Sequence, residues 1–202
     1  QYDIYRNDRV IATTYANTYT DTIDNGATGN LSYTVRAADA RGNRSASPAP
    51  IQLTGPATTI STPIPYGTTW RYQDTGTDPG AGWTSPTYND TTWPTGPATL
   101  GWGGGQTTTI GATKPTTTYF RTTFNVTDPT QIGIVDIAAK FTQGAVLYLN
   151  GTEIGRWNMP TGTITNTTTA TAYVGGTTDT TPKPFKAPPT LLTTGTNTLT
   201  AE

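Results

Sequence analysis

The sequence contains no cysteine and no histidine. Without cysteine there is no disulfide, no thiolate metal site and no thiol nucleophile. Without histidine, a Ser-His-Asp or Cys-His arrangement cannot be built, and the usual zinc ligands are missing. Charge is also sparse. Only 12% of the 202 residues are charged, and 12 Lys and Arg nearly balance 13 Asp and Glu, for a net charge of −1. Such a balance offers no electrostatic footprint for nucleic acid or for an anionic membrane surface. No apolar run approaches the roughly 20 residues that span a bilayer as a helix, so membrane insertion is not expected.

What the chain has in abundance is threonine, at 51 residues, with 22 glycines and 16 prolines. Threonine is β-branched and suits a half-buried pleated surface, while glycine and proline punctuate turns. The composition predicts an all-β protein with little helix. A cysteine-free, threonine-rich and weakly charged chain also suits the outside of a bacterial cell, so an extracellular or cell-surface location is expected.

The strongest local pattern lies between Phe141 and Pro160. Ala145, Leu147 and Leu149 alternate with Val146, Tyr148 and Asn150, giving a two-faced strand, and Asn150-Gly151 is the dipeptide that best turns a hairpin. A partner strand is expected over residues 152–157. Further strands are expected over 2–8, 9–15, 17–23, 70–73, 119–126 and 132–141, and residues 31–46 open on another. After a turn at Gly42-Asn43, a last strand of the first region is expected to start near Arg44. Residues 161–182 read as a loop with one short strand near 172–174. Five prolines between Pro48 and Pro65 mark an extended spacer. The expected layout is therefore 1–54, a linker over 55–65, and 66–202.

Several segments carry a family resemblance. Residues 2–8 (YDIYRND), 17–22 (NTYTDT) and 31–43 (LSYTVRAADARGN) resemble the second half of a fibronectin type III domain, with Tyr33 at the corner tyrosine and Val35 and Ala37 at inward positions. That resemblance implies a Greek-key sandwich whose first two strands are missing. Residues 70–76 (WRYQDTG), 82–103 (GWTSPTYNDTTWPTGPATLGWG), 118–126 (TYFRTTFNV), GAVLYLNGTEI and RWNMPTG resemble galactose-binding-like jelly-roll modules of large secreted bacterial proteins. The closing PPTLLTTGTNTLTAE matches the family's ending and stops inside its strand. The family commonly has Asp before GAVLYLNG, where this chain has Gln143.

The resemblance implies a non-catalytic module pair that binds polysaccharide, adheres or acts as a spacer beside neighbouring domains of a longer chain. The alternative is a structural subunit of an extracellular filament, sheath or surface layer, its open edges completed by neighbouring subunits. The carboxylates of the second region, Asp74, Asp78, Asp90, Asp128, Asp136, Glu153 and Asp179, fall in turns or at strand ends, so no glycosidase pair and no enzyme activity is expected. Such jelly rolls often hold structural Ca2+, and Asp74 and Asp78 are the candidate ligands, with turn stabilisation as their other reading. Trp70, Trp83 and Trp93 fall in the family's structural motifs and are expected to be packed. Trp102 and the run Arg156, Trp157 and Asn158 are the candidates for sugar contact, by ring stacking and polar hydrogen bonds, with packing again the alternative. Six Asn-x-Ser/Thr triplets, at Asn30, Asn43, Asn89, Asn125, Asn150 and Asn166, follow from the threonine content and do not mark glycosylation.

Overall fold

A computed structural model describes residues 1–21, 30–54, 61–174 and 181–202. It divides into two compact units, Gln1–Ser61 and Thr62–Glu202. Both are built from strands, and the chain is all-β, as the threonine-rich composition predicts. Among the described residues no helix is long and apolar enough to cross a membrane.

The first unit holds β1 (Tyr2–Arg6), β2 (Arg9–Thr14), β3 (Asn30–Ala37) and β4 (Ile51–Thr54) in one antiparallel sheet of order β2-β1-β3-β4. Asn7 and Asp8, both at positive φ, turn β1 into β2 in the manner of a two-residue hairpin. The register puts Ile4 opposite Ala12 and Val35, and Leu31 opposite Leu53. One face is therefore apolar. Ile4 and Leu31 are buried on it, whereas Val35, Ile51 and Leu53 stay 47%, 67% and 50% exposed. On the other face Asp3 is buried against Arg44 and Thr13.

Two expectations for this unit fail. Residues 17–21 of the expected strand over 17–23 are not extended in a ladder, and 22–23 lie outside the described residues. The Thr14 hydroxyl accepts from the Ala16 amide and turns the chain out of β2. Asp21 then binds the Arg6 guanidinium and the Tyr33 hydroxyl with its side chain. The last strand starts at Ile51 rather than near Arg44, which makes a single bridge to Ala38. Pro48 and Pro50 supply no ladder N–H, so pairing resumes only beyond them.

The second unit is organised on a six-stranded antiparallel sheet. In chain order its strands are β5 (Thr69–Gln73), β6 (Thr95–Pro97), β9 (Tyr119–Val126), β11 (Ala145–Leu149), β12 (Thr152–Trp157) and β14 (Gly195–Ala201). The spatial order is β12-β11-β14-β9-β5-β6. Two small ribbons complete the unit. One is parallel, β7 (Leu100–Gly101) with β8 (Thr108–Thr109), inside the Gly-rich segment; the other is antiparallel, β10 (Val135–Ala139) with β13 (Lys183–Ala187). The Asn150-Gly151 hairpin forms as its sequence predicts, with φ of +50° and +88°. β14 is central, paired with β11 on one side and β9 on the other.

The six-stranded sheet buries both faces. On one, Leu149 and Val126 meet Ala187 of β13 and Leu192, and Leu147 and Ala145 meet Phe185 of β13, a sheet-on-ribbon sandwich. On the other, Tyr119 and Tyr148 pack against Trp83 and Trp93 from the long loop that joins β5 to β6. Trp83 and Trp93 are thus packed, as their motifs imply. The short strand expected near 172–174 is absent, and β10 is shorter than the expected 132–141. β13 had no sequence signal, because Pro184 within it argues against a strand; a two-stranded ribbon has free edges that tolerate proline.

Candidate functional site

The alternation of side chains across the six-stranded sheet sets the site. Tyr148 stands opposite Thr200, and Thr200 opposite Arg121, so all three share the face covered by the β5–β6 loop. Tyr119 lies two residues before Arg121 and Glu202 two after Thr200, which returns both to this face. Glu202 continues the ladder, exchanging backbone hydrogen bonds with Val146.

The covering loop is held down by Arg121, which is 2% exposed. Its Nε donates to Asp90 at 2.8 Å, its Nη1 to the carbonyl of Trp83 and its Nη2 to the carbonyl of Ser85 at 3.1 Å. The guanidinium also lies 5.2 Å from the centre of the Tyr88 ring. Further along the loop, Asp78 accepts from the Gly80 amide at 2.8 Å, and Tyr88 donates to the Pro79 carbonyl. The loop is thereby fixed over the sheet without closing on it.

The space left between loop and sheet is a pocket of about 300 Å3. Its walls include Asp78, Trp83, Tyr119, Tyr148, Asn166 and Glu202. Trp83 meets Tyr119 and Tyr148 edge to face, with ring centres 4.9 and 5.6 Å apart. Tyr148 donates its hydroxyl to Glu202 Oε1 at 2.6 Å. Tyr119 is 2% exposed, and its hydroxyl has no hydrogen-bond partner among the described residues. Asn166 is tethered by its amide nitrogen to the Gly76 carbonyl, which leaves its carbonyl oxygen uncommitted.

The electrostatics of the pocket are negative. No Lys or Arg is part of its wall. Burial pushes the Glu202 carboxyl above the usual range; the Tyr148 hydrogen bond pulls it back, and the charge of Asp78 pushes it up again. Tyr119 is raised by burial and by the charges of Glu202 and Asp78, and Tyr148 by burial and its bond to Glu202. Arg156 opposes the rise at Glu202 and Tyr148, but burial and the neighbouring carboxylates outweigh it.

The sequence candidates are dispersed. Trp157 is partly buried against the cluster of Leu147 and Phe185, packs on Phe141 with ring centres 5.3 Å apart, and has Lys183 over its ring. Arg156 pairs with Glu153 at 2.6 Å and donates to the carbonyls of Pro160 and Gly162. Asn158, at φ +52°, ties Gln143 to Ala172 through both ends of its amide. These two side chains order the loop after β12 instead of facing solvent. Trp102 is 43% exposed in a different loop, with one ring edge over Gly111.

Asp74 accepts from the Gly111 amide at 2.6 Å, whereas Asp78 belongs to the pocket. Among the described residues no group of three or more acidic residues is placed to hold a metal ion. Of the residues put forward from the sequence as ligands for sugar or metal, Trp102, Arg156, Trp157, Asn158, Asp74 and Asp78, the pocket wall includes only Asp78 among the described residues. Tyr119, Tyr148 and Glu202 come from three strands far apart in the chain, and nothing but their parity on those strands could have found them. No protein-family model matches the chain, and no curated protein matches it.

Proposed function

We propose that this chain is a non-catalytic pair of extracellular β-modules whose second unit binds carbohydrate in the pocket over the six-stranded sheet. The observation that carries the reading is Tyr119, a 2%-exposed side chain whose hydroxyl makes no hydrogen bond among the described residues, at a pocket that also presents Asp78, Glu202 and Asn166. Hydroxyl-rich ligands are recognised by such a mixture of acceptors and donors beside aromatic edges, and the volume lies at the small end of ligand pockets. The other acidic side chains of the unit support a non-catalytic role. Asp90 and Glu153 are held by arginines, while Asp74 and Asp128 cap backbone amides.

The test is a glycan array probed with the intact chain, followed by calorimetry on the best ligand with the Asp78→Asn, Tyr119→Phe and Trp102→Ala variants. Loss of binding in the first two and retention in the third is expected. Loss in Trp102→Ala alone would move the site to the Gly-rich loop. Release of new reducing ends from a bound oligosaccharide would overturn the non-catalytic part.

A second reading is favoured by the half-exposed apolar face of the first unit, Val35, Ile51 and Leu53. In it the chain is a structural subunit of an extracellular assembly, and a neighbouring copy covers that face. Light scattering on the purified chain decides. Growth into ordered polymers, abolished by Ile51→Lys, is its expected result, and a monomer at all concentrations excludes it.

A further inference from the structure

Among the described residues, the pocket wall has two carboxylates, three aromatic rings and no basic side chain. Asp78 acts on Glu202 by repulsion, and both act on Tyr119 in the same sense. The basic group that acts on Glu202, Arg156, is engaged by Glu153 and by two carbonyls, and it is not part of the wall. An empty site of this kind carries unfavourable charge that a neutral ligand leaves in place. A ligand cation would reverse each of these interactions at once. The rings of Trp83, Tyr119 and Tyr148 suit the same ligand, since aromatic faces attract organic cations.

A second feature independent of charge points to an organic ligand rather than an ion. Tyr119 lines the pocket, its side chain is 2% exposed, and its hydroxyl makes no hydrogen bond among the described residues. Such a hydroxyl is open to a ligand hydroxyl or amine in the pocket as its partner. A bare Ca2+ ion, by contrast, takes six to eight oxygen ligands, and among the described residues no three acidic side chains are grouped to hold one.

We propose that the pocket selects ligands bearing a protonated primary amine, which the carboxylates of Asp78 and Glu202 hold while the Tyr119 hydroxyl bonds a neighbouring polar group. Resting on the carbohydrate reading above, the ligand class is an amino sugar with a free, not acetylated, amine. Asp78 and Glu202 each supply an oxygen that takes no hydrogen bond among the described residues: Asp78 spends one on Gly80 and Glu202 one on Tyr148. N-acetylation removes the charge and adds bulk in a pocket of about 300 Å3.

The test is calorimetry at neutral pH with the intact chain and matched oligosaccharides of glucosamine, N-acetylglucosamine and glucose, with propylammonium and CaCl2 as separate arms. Glucosamine oligomers are expected to bind at least tenfold more tightly than the other two. Asp78→Asn and Glu202→Gln, each shown to be folded by circular dichroism, are expected to cut that affinity tenfold or more and to weaken the neutral sugars by a smaller factor, so that the preference for the amine is lost. A second readout on the unmodified protein needs no variant. Affinity for glucosamine falls as the pH drops through the titration of Glu202, whose surroundings are Asp78, Glu153, Tyr119, Tyr148 and Arg156. Equal affinity for amine and acetylated sugars overturns the amine selectivity and leaves the carbohydrate reading standing. Binding of propylammonium with no sugar bound overturns the carbohydrate reading and keeps the cation site. A calcium isotherm abolished by Asp78→Asn, or no response in any arm, overturns the proposal.

Discussion

Arg121 Nε donates to Asp90 Oδ2 across 2.8 Å, with only 2% of the arginine side chain exposed. One guanidinium thus joins the central sheet to the loop that walls the pocket, since it also binds the carbonyls of Trp83 and Ser85. Removing it leaves two carbonyls short of a donor and Asp90 paired with Arg71 alone among the described residues, 3.3 Å from its Oδ1. Arg121→Met is expected to cost about 3–5 kcal/mol, the range for breaking one side of a buried pair. Arg121→Lys is expected to recover little, because an ammonium cannot serve three acceptors in a planar fork. Urea unfolding followed by tryptophan fluorescence measures both, and a loss below about 1 kcal/mol for either would contradict this role.

Gly155 and Phe185 make the close contact between the main sheet and the β10–β13 ribbon. A Cβ on Gly155 would sit 2.7 Å from Phe185 Cδ1 and 3.2 Å from Cε1, so the ring depends on the missing side chain. Gly155→Ala should therefore destabilise by about 1–3 kcal/mol through overpacking. Phe185→Leu opens room at the same place. The double variant is expected to lose less than the sum of the two single variants, by about 0.5 kcal/mol or more. Strict additivity would mean that the ring and the glycine do not limit one another.

Strands with clean two-residue alternation were legible in the sequence, and so was the Asn150-Gly151 hairpin, because both depend on neighbours along the chain. β13 was not, since Pro184 lowers strand propensity locally and only pairing with β10 compensates. The pocket was illegible for a different reason. Tyr119, Tyr148 and Glu202 look like ordinary strand residues, and their convergence is a property of the order β11-β14-β9. Arg156, Trp157 and Asn158 misled in the opposite direction. Their polar and aromatic run looks exposed until Pro160, Gly162, Gln143 and Phe141 are brought beside it.

Asn197 is fully buried and acts as a junction for the turn before β14. Its Oδ1 accepts from Asn150 Nδ2 at 2.7 Å and from the Thr193 amide at 2.9 Å, while its Nδ2 donates to the carbonyls of Thr193 and Gly195. Asn197→Ala leaves these groups without partners away from water, and on the order of 3 kcal/mol should be lost. Asn197→Asp is expected to be no rescue, because a carboxylate would face the two carbonyls that now receive N–H donors. Hydrogen exchange at the Thr193 amide gives an independent check. Unchanged protection in Asn197→Ala would show that the side chain does not hold the turn.

Asp3 supplies the pH-dependent element of the first unit. Its carboxyl is 2% exposed and is held below the ordinary aspartate range, first by the hydrogen bond from Arg44 at 2.6 Å and then by the Thr13 hydroxyl at 2.9 Å, with burial opposing both. A carboxyl whose pKa is lower folded than unfolded favours the folded state at neutral pH. That contribution is complete above the unfolded value, about 3.9, and disappears as the pH falls through the lower folded value. The acid limb of the first unit should accordingly lie below pH 4 and should be flattened by Asp3→Asn. Carbon-detected NMR of the Asp3 carboxyl reads the midpoint directly. A midpoint at or above about 3.9 would mean that Arg44 does not stabilise the charged form. A low midpoint that rises in Arg44→Gln and less in Thr13→Val would assign the two contributions in the order given by their geometry.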